Sequence, residues 1–270
     1  MGKFDGCLLY SDIDGTFVDN NGVVPKENLE AVEYFMSEGG KFGLATGRAS
    51  YTSAVYAKQA GINAPGICYN GAMVYDYHKD ETLFLEVPSK KTMEYVKIIF
   101  KKFPNIGLEF VYSDKIIACN VNEIVLKHFE YENIPHNETS MDKIKDGWLK
   151  VLFVDDIDNV TEVEEFIKSQ NFDDANFVRS APFLLEMISG NASKGGALMW
   201  VADRLGIDRN KIFAAGDFYN DITMITNAAL GAFVENAPAD LHGYGDVILC
   251  SNEKGAIADF VGKIEKNIEK

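Results

Sequence analysis

The chain has 270 residues, of which 47% are hydrophobic and 25% are charged, and its formal net charge at pH 7 is −15. These values are typical of a globular enzyme and leave room for about one to two domains. Because the charge is strongly negative and no basic patch is evident, we expect neither a nucleic acid nor an anionic membrane as a partner.

The sequence carries no recognisable targeting or membrane segment. The N-terminal apolar run is too short for a signal peptide, and no apolar run reaches the length of about 18 residues that a membrane helix needs. The cysteines are scattered without the spacing of metal ligands, which favours reduced and mostly buried thiols. We therefore expect a cytoplasmic protein. The cysteines are Cys7, Cys68, Cys119 and Cys250.

The first elements alternate between strand and helix, which is typical of a parallel sheet. An apolar run at Cys7–Tyr10 predicts a short buried strand, and apolar residues at helical spacing follow Pro25 up to the Gly39-Gly40 pair. A strand over 41–45, a helix ending at Ala60 and a third strand over 66–69 complete this part. Each strand ends in a polar or glycine-containing tip.

The pattern changes between residues 83 and 188. Strand-like runs separated by only a few residues indicate antiparallel hairpins, so we expect an inserted α+β unit. Its predicted helices cover about 89–103, 123–131 and 160–169, and its predicted strands cover 106–112, 115–119, 149–154, 176–179 and 183–188.

The alternation then resumes and ends in a helix that starts at Gly255. Helices are predicted over about 194–205 and 221–227, and strands over 212–215, 230–234 and 247–249. The whole pattern indicates an α/β protein in which residues 1–82 and 189–270 form a parallel-sheet core and residues 83–188 form the inserted unit.

Acidic residues follow two of the core strands. Asp12 and Asp14 come directly after the first strand, where an i, i+2 spacing in extended chain would point both side chains the same way. Two like charges there are costly unless a cation or a proton lies between them. Asp217 follows the strand over 212–215 and would meet them at the carboxyl edge of the sheet. Such a set suits Mg²⁺, although each aspartate could instead cap the helix behind it.

Cationic and hydroxyl groups accompany these acids. Lys194, at the start of a helix, stands where the helix dipole disfavours a cation, so it is more credible as a counter-charge for phosphate and carboxylates. Thr46 and the amides around Gly47 make a small anion-binding tip, to which Arg48 could add a charge-assisted contact.

Four short motifs resemble those of the haloacid dehalogenase superfamily. They are DIDGT, ATGR, the lysine of SKG and GDFYND, in this order. The insertion is similar to the cap of its Cof-like, subfamily IIB phosphatases, and NGA at 70–72 resembles a stretch that these carry. The resemblance implies a Rossmann-like hydrolase core with a C2-type cap. The chain departs from the usual pattern at Phe218-Tyr219 within the fourth motif and at Val234-Glu235.

The resemblance also implies roles for individual residues. Asp12 would be the nucleophile that forms an aspartyl-phosphate. Asp14 would protonate the leaving oxygen, later deprotonate the attacking water, and offer its backbone carbonyl to the metal. Catalysis would thus rest on Asp12, Asp14, Thr46 and Lys194. The implied substrate-binding residues are Thr46, Gly47, Arg48, Asn70, Lys194 and Asn220, and the implied Mg²⁺ ligands are Asp12, Asp14, Asp217 and Asp221.

The function that the sequence favours is a Mg²⁺-dependent phosphatase for a small phosphorylated metabolite, such as a sugar phosphate. A phosphomutase acting on hexose phosphates and a non-catalytic sugar-phosphate-binding regulator remain as alternatives. A dehalogenase is disfavoured, because Asp14 and a metal site suit phosphoryl transfer. The acidic clusters at 155–158 and 173–174 are interpreted as solvated loops and helix caps rather than as a second metal site.

Overall fold

The structure is a computed structural model that describes residues 2–132 and 135–269. This part of the chain forms two compact units. One unit runs to Leu85 and resumes at Ser193, and the other comprises Glu86–Ala192. None of the helices in the two described ranges has both the length and the apolar character needed to cross a membrane.

Strands and α-helices are numbered in chain order. The strands are β1 (Leu8–Ser11), β2 (Lys41–Leu44), β3 (Gly66–Cys68), β4 (Met73–Asp76), β5 (Glu81–Leu85), β6 (Gly107–Val111), β7 (Ile116–Cys119), β8 (His136–Glu138), β9 (Lys150–Val154), β10 (Ala175–Ala181), β11 (Leu184–Ser189), β12 (Ile212–Gly216), β13 (Leu230–Val234) and β14 (Val247–Leu249). The helices are α1 (Lys26–Ser37), α2 (Ser50–Ala60), α3 (Lys90–Lys102), α4 (Glu123–Glu132), α5 (Ile157–Lys168), α6 (Lys194–Leu205), α7 (Ile222–Asn227) and α8 (Ala256–Ile268).

The first unit is built on a parallel five-stranded sheet with the order β14-β13-β12-β1-β2. Consecutive residues of a strand point to opposite sides of the sheet, and the central strands are buried at every position, so both faces of the sheet are covered. Leu9 packs in one core cluster with α1, α2 and α8, whereas Leu8 and Tyr10 pack in another with α6. The parallel α/β core is therefore confirmed, and β1 and β12 lie side by side at its centre.

The third predicted strand, β3, is joined to the core by a parallel bridge between Ala45, just after β2, and Ile67. It belongs to a small second sheet of this unit, in which β3 pairs antiparallel with β4 and β4 pairs antiparallel with β5. The reason is a tight reversal at Tyr69–Gly71, where three successive residues have φ values of +51°, +55° and +94°. This reversal turns the chain back into a hairpin with β4. The strand predicted over 66–69 is thus present, and its bridge to the core is parallel as predicted, although its longer pairing is the antiparallel one with β4.

The second unit contains a six-stranded sheet with the order β10-β11-β9-β6-β7-β8. Its neighbouring strands are antiparallel except for β7 and β8, and the predicted hairpins β6–β7 and β10–β11 are confirmed. Apolar residues of α3 and α5 form a core with one face of the sheet. Asp156 caps α5 by accepting the Asn159 amide at 2.9 Å, which agrees with the helix-cap interpretation of its acidic cluster.

All four cysteines are free thiols, as the sequence predicted. Cys7, Cys68 and Cys119 are buried, and Cys250 is half-buried.

Candidate active site

The two acidic motifs meet because their strands are neighbours in the sheet. β1 and β12 are paired in register up to Ser11 and Ala215, and the Asp12 amide continues the ladder by donating to the Ala215 carbonyl at 2.9 Å. Asp12 and Asp217 therefore leave adjacent strands at the same carboxyl edge. This is the edge at which open α/β sheets bind their ligands.

Lys194 is the charge that holds the centre of the site together. Its ammonium group donates to Asp12 Oδ1 and to Asp221 Oδ1, each at 2.6 Å. The three residues are buried, with only 1% of Lys194 exposed. Ser193 places the lysine at the first position of α6, because its side chain caps that helix by accepting the Gly196 amide at 3.0 Å. The counter-charge role predicted for Lys194 matches this geometry.

Asp221 fixes the loop that follows β12. Its Oδ2 atom accepts the backbone amides of Asp217 and Phe218 at 3.0 and 3.1 Å, while its Oδ1 atom accepts from Lys194. A side chain at Gly216 would collide with this carboxylate, since a Cβ atom there would lie 2.4 Å from Asp221 Cγ. Asp221 is thus tied by three donors and orients both Lys194 and the Asp217 loop.

Asp217 packs against the turn after β1. A Cβ atom at Gly15 would lie 2.3 Å from Asp217 Oδ2, and Gly15 has a φ of +75°, so glycine is required there on both grounds. One carboxylate oxygen each from Asp12, Asp217 and Asp221 lie within 4.8 Å of one another. Three carboxylates, two of them buried and that of Asp217 half-buried, stand beside one lysine and carry excess negative charge. Hard oxygen donors in this arrangement fit a divalent cation such as Mg²⁺.

The pKa values of these groups reflect the crowding. Burial, above all, raises the pKa of Asp12 well above its ordinary value; Lys194 opposes this shift, and the neighbouring carboxylates add to it. Burial and then the charge of Asp221 raise the pKa of Asp217 to about 7. Burial favours a neutral Lys194, but Asp12 and Asp221 outweigh it and raise the lysine's pKa above its ordinary value. A cation beside Asp12 and Asp217 would favour their ionised forms.

Asp14 points elsewhere, which corrects the prediction that it lies parallel to Asp12. Its carboxylate accepts from Arg48 Nε at 2.8 Å and from Arg48 Nη2 at 2.7 Å. The i, i+2 rule does not apply because β1 ends at Ser11 and the chain enters a turn over Ile13–Phe17. The Asp14 side chain consequently lies outside the carboxylate cluster, and the use of its backbone carbonyl as a metal ligand stays a prediction.

The predicted anion-binding tip lies after β2. The Thr46 side chain is buried, and its hydroxyl oxygen accepts the Arg48 amide at 3.1 Å, which leaves its O–H as a donor. The Asn70 amide in turn donates to the Thr46 carbonyl at 3.0 Å. A hydroxyl donor beside backbone amides suits a phosphoryl oxygen.

Asn70 connects this tip to the acidic loop. Its side chain lies over Gly47, where a Cβ atom would be 3.1 Å from Asn70 Oδ1, and this same oxygen accepts Asn220 Nδ2 at 2.9 Å. The structure thus brings Thr46, Gly47, Asn70 and Asn220 into one connected group. It places the Arg48 side chain on Asp14 rather than in this group.

One positioning residue did not emerge from the sequence. Asn236, after β13, donates from Nδ2 to the Gly15 carbonyl at 2.9 Å and accepts the Asn252 amide at 3.0 Å. Asn236 therefore stabilises the turn that contains Asp14. An asparagine just beyond the carboxyl end of a core strand was the available signal.

Fold and site together define an α/β enzyme with a buried carboxylate–lysine centre. The sequence model of the haloacid dehalogenase-like hydrolases matches residues 9–261, so the chain belongs to this family and is a hydrolase of its type. The resemblance found from the four motifs is confirmed.

Curated relatives match over nearly their full length. The chain is 27% identical over 268 residues to the putative phosphatase YxeH of Bacillus subtilis (strain 168), covering 95% of this chain and 97% of the relative. It is also 27% identical over 256 residues to a phosphoglycolate phosphatase of Archaeoglobus fulgidus, covering 95% of this chain and 96% of that protein.

Solved structures share the fold. A haloacid dehalogenase-like hydrolase from Bacteroides thetaiotaomicron superposes with a TM-score of 0.81 at 22% identity, covering 96% of this chain and 99% of the other. BT4131, described as a subclass IIB sugar phosphatase, gives a TM-score of 0.82 at 20% identity, with 97% and 99% covered.

Proposed function

We propose that the protein is a Mg²⁺-dependent phosphatase that hydrolyses a small phosphorylated metabolite, in the class of sugar phosphates, through an aspartyl-phosphate intermediate. The observation that carries this proposal is the buried Asp12 carboxylate, held by Lys194 at 2.6 Å beside Asp217 and Asp221. Membership of the hydrolase family and the relatives described as phosphatases support it.

Asp12 is the nucleophile in this proposal. Lys194 binds its Oδ1 atom, so the carboxylate is fixed in direction and its Oδ2 atom is assigned to attack phosphorus. A carboxylate and a phosphate dianion repel each other, and a buried ammonium group offsets that repulsion more strongly than it would in water. The attack forms the bond from Asp12 to phosphorus and breaks the bond from phosphorus to the leaving oxygen.

The residues that would hold the cation are Asp12 and Asp217, with Asp221 adjacent and, by resemblance to the family, the Asp14 carbonyl. When bound, Mg²⁺ supplies positive charge to the phosphoryl oxygens and lets the carboxylates remain ionised. Lys194 remains charged throughout, since the two carboxylates raise its pKa.

The remaining roles belong to residues of the anion-binding tip after β2 and of the turn after β1. The Thr46 hydroxyl and the Gly47 region, aligned by Asn70 and Asn220, would bind the transferred phosphoryl group. Asp14 would give its proton to the leaving oxygen and then take one from the water that hydrolyses the intermediate. This returns both aspartates to their starting states and releases an alcohol and inorganic phosphate.

The inserted unit, Glu86–Ala192, is assigned to substrate selection, the role that the resemblance to the capped phosphatases of the family implies. The choice of a sugar phosphate is supported by the fold shared with BT4131, which is described as a sugar phosphatase. The names of the curated relatives support phosphatase activity in general. We place the enzyme in the cytoplasm, with the four free thiols as support.

The test is phosphate release by the wild type and by Asp12→Asn across a panel of phosphate monoesters, with and without Mg²⁺. We expect Mg²⁺-dependent release by the wild type and a loss of at least about a thousandfold in the variant. The matched control is Asp203→Asn, on an exposed aspartate, which should retain wild-type turnover. A variant at Asp12 with near-normal turnover would refute the proposal. Transfer of phosphate between positions of a hexose without release would indicate a mutase instead.

A further inference from the structure

The contact between Arg48 and Asp14 has the geometry of a positioning device. Two parallel N–H donors of one guanidinium meet both oxygens of one carboxylate, at 2.8 and 2.7 Å. Such a bidentate pair fixes the plane and the direction of the carboxylate, which a single hydrogen bond does not. The guanidinium is itself held, because its central carbon lies 5.3 Å from the centre of the Tyr56 ring.

This pair contributes little to stability, because both of its side chains are substantially exposed. About a third of the Arg48 side chain and about half of the Asp14 side chain are exposed, and pairs of this kind are worth about 0–1 kcal/mol. Its position is the informative feature. Asp14 lies two residues after Asp12 and is carried on a turn that Gly15 and Asn236 hold in place.

We propose that Arg48 is a positioning residue for Asp14 in the proton transfer to the leaving group, rather than a ligand of the transferred phosphate. This inference rests on the proposed function, because it takes Asp14 as the acid. The backbone of Arg48 is already engaged at the phosphate-binding tip, where its amide donates to Thr46 Oγ1 at 3.1 Å. Its side chain extends from that tip to Asp14, so one residue aligns the hydroxyl that binds phosphate and the carboxyl that serves the leaving oxygen.

The step concerned is the first half of the reaction. Asp12 forms a bond to phosphorus, the bond from phosphorus to the leaving oxygen breaks, and the proton of Asp14 moves to that oxygen. The products are the aspartyl-phosphate, a neutral alcohol and the Asp14 carboxylate. The contact in which both Asp14 oxygens accept from Arg48 is this ionised product state, which then takes a proton from the water that hydrolyses the intermediate. The need for this proton depends on the leaving group: an alkoxide requires it, whereas a nitrophenolate is stable enough to depart without it.

The test compares kcat/KM for nitrophenyl phosphate and for an alkyl monophosphate, glycerol phosphate, in the wild type, Arg48→Ala and Arg48→Lys. For a reaction that passes through a phosphoenzyme, kcat/KM reports the steps up to departure of the leaving group. We expect Arg48→Ala to lose about tenfold to a hundredfold with the alkyl ester and less than about threefold with the nitrophenyl ester. Arg48→Lys keeps the positive charge but cannot donate to both carboxylate oxygens in one plane. It should therefore lose less activity with the alkyl ester than Arg48→Ala but more than the wild type. Inhibition by inorganic phosphate should stay within about twofold of the wild type, since the variant leaves phosphate binding intact.

Two further variants decide between explanations. Asp14→Asn should show the same selective loss with the alkyl ester, and adding Arg48→Ala to it should cause no further loss, because both act on one step. Arg209→Ala is the matched control: Arg209 donates to Asp203 at 2.8 Å in an exposed pair and should leave both substrates unaffected. Circular dichroism and cooperative unfolding establish that each variant is folded.

The possible results distinguish a failure of the role proposed for Arg48 from a failure of the proposed phosphatase function. An equal loss for both esters in Arg48→Ala, together with weakened inhibition by phosphate, would overturn the inference and assign Arg48 to phosphate binding. A selective loss in Asp14→Asn without one in Arg48→Ala would also overturn it and leave the proposed function standing. Near-normal turnover by Asp12→Asn would instead remove the proposed function on which both rest.

Discussion

Replacing Lys194 by methionine removes the charge at the centre of the site while keeping a long unbranched side chain. Lys194 is 1% exposed and contacts both Asp12 and Asp221 at 2.6 Å. The substitution leaves two buried carboxylates without the ammonium group that faces them. Because the side chain is nearly isosteric, loss of packing contributes little and the effect is mainly electrostatic.

The expected cost follows from this burial. Removing one partner of a buried ion pair typically destabilises a protein by about 3–5 kcal/mol, because an uncompensated charge remains. Here the carboxylates can reduce that cost by binding protons, since burial already raises the pKa of Asp12. We therefore expect a loss of about 3 kcal/mol near pH 8 that shrinks below about 1.5 kcal/mol near pH 5. The sign is fixed because a carboxyl whose folded pKa exceeds its unfolded pKa stabilises the folded state more as the pH falls.

The assay is urea unfolding in metal-free buffer at the two pH values, followed by circular dichroism. Two compact units are present, so the transition that reports the first unit is identified from the wild type before free energies are compared. Lys254→Met is the matched control, because Lys254 is exposed and lies 3.6 Å from Glu235; it should change the free energy of unfolding by less than about 0.5 kcal/mol. A loss below about 1 kcal/mol for Lys194→Met at both pH values would refute the electrostatic reasoning.

Two further predictions concern Asp217 and the turn against which it packs. Burial and the charge of Asp221 raise the pKa of Asp217 from its ordinary value of 3.8 to about 7. As the pH rises from about 4 to about 7, the metal-free wild type should therefore lose stability more steeply than Asp217→Asn. Superimposable pH dependences in thermal unfolding would contradict this. Gly15→Ala, which places a Cβ 2.3 Å from Asp217 Oδ2 at a φ of +75°, should destabilise the protein by about 1–3 kcal/mol and weaken Mg²⁺ binding in calorimetry. Gly61→Ala is its control: it has a φ of +59° but open space around it, so Mg²⁺ affinity should be unchanged, and equal effects on affinity would contradict a specific role for Gly15.

The acidic motifs were recognisable from local sequence. The apolar runs before Asp12 and Asp217 indicated strands of one parallel sheet, and such strands bring their carboxyl ends to one edge. That these two strands are neighbours is known from the strand order in the structure. Lys194 was likewise recognisable, because a cation at a helix start opposes the helix dipole unless acids face it. In the structure these three residues lie together at that edge.

Directions of side chains beyond strand ends were not predictable. Asp14 faces Arg48 because the chain turns after Ser11, and the strand alternation that suggested a common direction no longer applies. The same limit explains the third core strand: the run over 66–69 was recognisable, but its pairing depends on the reversal at Tyr69–Gly71. Short strands with polar residues, such as β8, offer too few side chains for a periodic signal.

The central claim is that Asp12 accepts phosphorus, and the most direct measurement is mass spectrometry of the acid-quenched enzyme during turnover of a phosphate ester with Mg²⁺. The account predicts that the peptide spanning Asp12 gains the mass of one phosphoryl group, that fragmentation assigns this group to Asp12 rather than to Asp14, and that Asp12→Asn shows no such peptide. Steady release of phosphate with an unmodified Asp12 peptide under quench conditions that preserve an acyl phosphate would contradict it.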